Sequence, residues 1–108
     1  MENTSPFLAM QRTEAQIKAL LRGVDPDLLD PAEKKAVAAL RRLTVDARLD
    51  VRDYELSETR DEQLKYAAEA KTRLAKLRAT ILAAGAAFGP ADVAQLTAQL
   101  EQIEGRLL

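Results

Sequence analysis

Few side chains in this sequence could do chemistry. There is no histidine and no cysteine. That removes the usual general base near neutral pH, thiol nucleophiles, nearly all zinc sites and the Glu-x-x-His di-metal motif of helical bundles. Asp, Glu, Lys, Tyr and Ser remain, and a buried pair of carboxylates could still exchange protons. The acids, however, stand among lysines and arginines at helical spacing. Glu69 precedes Arg73 by four residues and Asp61 precedes Lys65 likewise, which stabilises a helix by about 0.2–0.5 kcal/mol per pair. They read as solvated helix faces. No catalytic residue, metal or cofactor is expected, and the chain is not read as an enzyme.

Two charge clusters invite a binding role. Asp46 to Glu62 holds seven acids and three arginines, but the Asp-x-Asp-x-Asp-Gly spacing of a calcium loop is absent. Lys34, Lys35, Arg41 and Arg42 form one basic group, and Lys65, Lys71, Arg73, Lys76 and Arg78 another. The second could touch phosphates as a stripe. No aromatic platform interleaves it, and no helix-turn-helix with its turn glycine is evident. A small nucleic-acid-associated protein is therefore the alternative reading. Tyr54 and Tyr66 lie in or beside apolar seams and read as interface-packed. The small residues Ala83 to Ala87 permit close helix approach, with Phe88 available to plug a groove.

Composition says which elements must carry these residues. Hydrophobic residues make up 47% and charged residues 31%, while aromatics are only 4%. Such a chain is too apolar for disorder, and its Ala and Leu suit helix seams rather than sheets. The net charge is -1, which shows no footprint for nucleic acid or an anionic membrane. The start, Met1 to Ser5, lacks the basic region and apolar run of a signal peptide. No stretch approaches the roughly 20 apolar residues of a membrane helix. A cytoplasmic protein that does not enter a membrane is expected.

Proline and glycine punctuate the chain. Ser5-Pro6 starts a helix and Gly23 ends it, giving about 6–22. Asp27-Leu28-Leu29 is placed as a single turn inside a linker. Asp30, Pro31 and Glu33 are a capping start. From Ala32 to Ala84 there is neither Pro nor Gly. Leu40, Leu43, Ala47, Val51 and Tyr54 keep coiled-coil spacing, and so do Ala67, Ala70, Leu74, Leu77, Ile81 and Ala84. The two stripes are out of phase across the polar Ser57–Gln63. Val45 to Arg52 alternates apolar and polar strictly, a strand signal, but the same positions fit the heptad and no turn residues flank them. The last helix, 90–107, follows Gly89-Pro90 with Val93, Leu96, Leu100, Ile103 and Leu107 on one stripe, and Gly105 frays its end.

The expected fold is all-α: a central helix over 31–84, roughly 80 Å long, flanked by two shorter antiparallel helices. Two layers cannot cover such a seam, so an antiparallel homodimer is expected to close it. Its interface is assigned to Leu40, Leu43, Ala47, Val51, Tyr54, Leu74, Leu77, Ile81, Val93, Leu96, Leu100 and Ile103. The alternative breaks the helix at 57–62, with Thr59 and Glu62 as a cap, and yields a monomeric four-helix bundle of about 6–22, 31–56, 60–84 and 90–107. The lack of Gly or Asn at that break favours the rod. The expected function is a non-enzymatic interaction protein, either a homodimeric adaptor, a chaperone-like factor or a regulator with a protein partner.

Overall fold

The computed structural model describes residues 5–108, so all but Ser5 of the start over which no signal peptide is expected lies outside the described residues. The chain folds into α1 (Pro6–Arg22), a short 3-10 turn (Pro26–Leu28), α2 (Pro31–Leu56), α3 (Arg60–Ala83), α4 (Gly85–Phe88) and α5 (Pro90–Gly105). No strand occurs among the described residues, and the alternating segment Val45–Arg52 is helical.

The helix starts are those of local chemistry. The Ser5 side chain accepts a hydrogen bond from the Leu8 N–H, and Pro6 has no N–H to leave unpaired. Asp30 and Glu33 cap each other's backbone N–H groups at 2.8 and 3.0 Å. Gly89, at φ 87°, is the one positive-φ residue among those described, and it swings the chain into Pro90 at the start of α5.

The central rod is where the structure departs from the favoured expectation. An 80 Å helix does not fit a molecule whose longest extent is 47 Å. The chain turns back at Ser57–Thr59 instead, as the hairpin alternative has it. No left-handed residue is needed. Ser57 and Thr59 both keep extended backbone, at φ -62° and -119°. The Ser57 hydroxyl donates to the Asp53 carbonyl at 2.8 Å, and Thr59 Oγ1 accepts from the Glu62 N–H at 3.1 Å. Both helix ends are thus satisfied without glycine.

The energetic reason for turning is burial. Folding back sets Leu40, Leu43, Ala47 and Val51 against Ala67, Ala70, Leu74, Leu77 and Ile81, all buried. Each large aliphatic side chain gains about 1.5–3 kcal/mol by leaving water. Interrupting a helix forgoes only a few backbone hydrogen bonds, at about 1 kcal/mol each.

The remaining helices complete an antiparallel four-helix bundle, with α1 packed on α2 and α5, and α5 on α3. Met10, Ile17 and Leu21 enter the core from α1, and Leu96, Leu100, Ile103 and Leu107 from α5 and its end. Phe88 is buried in this same core rather than left to plug a neighbour's groove. No helix among the described residues is long and apolar enough to cross a membrane.

Candidate functional site

Buried polar groups are the first place to look for chemistry. Thr13, Glu14 and Thr44 are buried. The Thr13 and Thr44 hydroxyls turn back to the carbonyls of Ala9 and Leu40, at 3.0 and 2.6 Å. Glu14 meets Arg48 at 3.1 Å and Lys18 at 3.6 Å. No buried side-chain polar atom lacks a partner among the described residues. Nor does any group of three or more acids there converge as a metal site would.

The charged stripes resolve into seam pairs. Arg73 bridges to Asp50 at 3.1 Å and Asp46 at 3.8 Å across α2 and α3. Its hydrogen bond to Asp50 raises the guanidinium above its ordinary pKa, so it stays cationic. Arg78 bridges to Glu104 at 2.8 Å and Glu101 at 3.5 Å across α3 and α5. The Lys71 ammonium donates to the Leu108 carbonyl. Lys65 stands 5.5 Å over the Tyr66 ring. Of the basic stripe drawn from the sequence, Lys65, Lys71, Arg73 and Arg78 thus meet intrachain groups, while Lys76 meets none among the described residues. Of the acidic stretch, Asp46 and Asp50 hold Arg73, while Glu55 accepts from the Phe7 N–H at 2.9 Å.

The residues assigned to a subunit interface lie elsewhere. Leu40, Leu43, Ala47, Val51, Leu74, Leu77, Ile81, Leu96, Leu100 and Ile103 are buried in the chain's own core, and Tyr54 and Val93 are half-buried against it. Their partners are one another, because the turn at Ser57–Thr59 brings both stripes into one chain. The uncovered seam that called for an antiparallel second copy does not arise.

A different apolar set remains outside. Successive helical residues are about 100° apart. With Leu40 pointing inward, Ala38, Val45, Leu49 and Leu56 fall about 140–180° away, on the outer face of α2. Ala38 is exposed, Val45 and Leu49 are half-buried without joining the core, and Leu56 is 69% exposed. Beside Val45 a groove of about 340 Å³ opens between α1 and α2, floored by Ile17, Leu21 and Thr44 and rimmed by Lys18, Arg22 and Arg41. Elsewhere cations meet acids across a seam; here Lys18 meets only Glu14 of its own helix, at 3.6 Å. Arg22 and Arg41 have no carboxylate within ion-pair reach among the described residues. Sequence reasoning passed over this face. Its signal was the alternation over Val45–Arg52, which records two apolar sides of one helix: Ala47 and Val51 inward, Val45 and Leu49 outward. Comparison with protein families, curated proteins and solved structures finds no match.

Proposed function

We propose that the chain is a non-enzymatic helical interaction protein, an adaptor or regulator that works through the outer face of α2 and the adjoining α1–α2 groove. The observation that carries this reading is the second apolar stripe, Val45, Leu49 and Leu56, left outside a core that is already complete. An unpartnered stripe beside Arg22 and Arg41, which meet no acid among the described residues, favours an apolar helical surface that carries acids opposite those arginines as its complement.

The test is a bait comparison in which only this face changes. Leu49→Glu and Leu56→Glu are expected to leave the melting temperature within a few degrees of wild type, since neither residue belongs to the core. The same variants are expected to lose partners that wild type retains from cell extract, read by quantitative mass spectrometry. Identical retained sets and yields for wild type and variants would refute the assignment of function to this face.

A further inference from the structure

We infer that the outer face of α2 seats the same face of a second copy of this chain, with the two α2 helices parallel. This rests on the preceding reading of the face and names its occupant.

The argument starts from spacing. Ala38, Arg42, Val45, Leu49, Arg52 and Leu56 alternate steps of four and three residues, the spacing of a coiled-coil seam. Over this stretch α2 is continuous, so the six residues form one line about 27 Å long. Paired in parallel, Ala38, Val45, Leu49 and Leu56 each meet their own counterpart in an apolar layer. Arg42 and Arg52 are the polar layers. Arg42 is extended into solvent and 3.9 Å from Asp46, and its stem can lie over the seam while its charge stays wet.

Charge decides the partner and the orientation. Arg41 and Arg48 border the seam on one side, and Asp46 and Asp53 on the other. In a parallel pair, a residue on the first edge faces the residue five positions later on the second edge of its partner. That sets Arg41 beside Asp46 and Arg48 beside Asp53 of the other copy, twice over by the two-fold symmetry. An antiparallel pair would set arginine against arginine and aspartate against aspartate, which is repulsive. Among the described residues Arg41 has no acid partner, and Asp53 holds only its neighbour Arg52, at 3.5 Å. Arg48 and Asp46 are shared with Glu14 and Arg73, at 3.1 and 3.8 Å. A helix pair with three large apolar layers belongs to the transient class, so a Kd between about 1 µM and 1 mM follows.

The lack of cysteine makes the test direct. Sedimentation equilibrium on the full chain should show the mass rising from 11.9 kDa toward twice that value with concentration. Leu56→Cys should form a disulfide-linked dimer on mild oxidation, well above the rate of Leu82→Cys, an exposed collision control on α3. Arg41→Glu should raise the Kd at least about fivefold at an unchanged melting temperature, because both interchain pairs turn repulsive. A single-chain mass up to several hundred micromolar overturns the second copy as occupant. The bait comparison then still decides whether the face binds something else. A mixture of Ala38→Cys and Leu56→Cys chains that links 38 to 56 in preference to 56 to 56 overturns the parallel orientation.

Discussion

Leu74→Ala separates an intrachain core from an intermolecular seam. Leu74 is fully buried in the middle of α3, facing α2 across the hairpin. The substitution removes three carbons, about 2.4 kcal/mol of transfer free energy at about 0.8 kcal/mol each. The surrounding Ala and Leu side chains relax only partly, so a cavity term brings the loss to about 3–4 kcal/mol. For a chain of 108 residues each kcal/mol is worth about 4–5 °C, which puts the melting temperature about 12–20 °C below wild type. The assay is thermal unfolding followed by helical circular dichroism at about 5 µM and about 200 µM protein. If Leu74 serves the chain's own core, the gap from wild type is the same at both concentrations. If it serves a subunit interface, the gap depends on concentration through mass action. A gap that closes markedly with concentration, or a loss under about 1 kcal/mol, would refute the placement of Leu74.

Other positions give equally direct tests. Thr59→Ala deletes the cap of α3 and should cost about 1 kcal/mol, read as a drop of several degrees in melting temperature; no change would mean the turn is held by burial alone. Gly89→Ala should cost about 1–3 kcal/mol although a Cβ there meets nothing within 4 Å, because φ 87° with ψ 155° is hostile to any side chain. Gly105→Ala, also uncrowded but at ordinary φ, should instead be neutral or stabilising by up to about 1 kcal/mol. Glu14→Leu strands the Arg48 guanidinium beside the core and should cost about 1–3 kcal/mol by chemical denaturation. A chain without histidine has no side chain that ordinarily titrates between pH 6 and 8, so its melting temperature should be flat over that range; a shift of many degrees would reveal a strongly perturbed group.

Much of this fold is legible before any coordinates. Ser5-Pro6, Asp30-Pro31 with Glu33, and Gly89-Pro90 mark helix starts through local hydrogen bonding, and those starts stand where the pattern put them. The inward stripes are legible for the same reason: a 3/4 spacing has one geometric meaning on a helix. The break at Ser57–Thr59 is hidden from the sequence because it lacks the glycine or asparagine that marks a positive-φ turn between helices. Extended residues with serine and threonine caps do the same work, and the decisive quantity is the apolar area gained beyond the turn, which no local signal carries. Thr13 and Glu14 looked like interruptions of a stripe. Their burial depends on Ala9 O and on Arg48, and the second partner is 34 residues away. The outer face of α2 was obscured by its own regularity, since two apolar sides of one helix mimic the alternation of a strand.

The short turn at Ser57–Thr59 also bears on time. It joins the two longest helices through three residues, so their contact forms with little loop entropy to overcome. The opposite seam, α1 against α5, unites the two ends of the described chain and includes Thr13, Gln16, Gln99 and Gln102 around a cleft of about 290 Å³. Low sequence separation on one side and polar, distant closure on the other give the bundle a direction of assembly. The α2–α3 hairpin forms early, and the α1–α5 seam closes last and opens first. Amides of α1 and α5 should therefore exchange hydrogen ahead of those around Leu43 and Leu77, and the molecule should breathe along one known line.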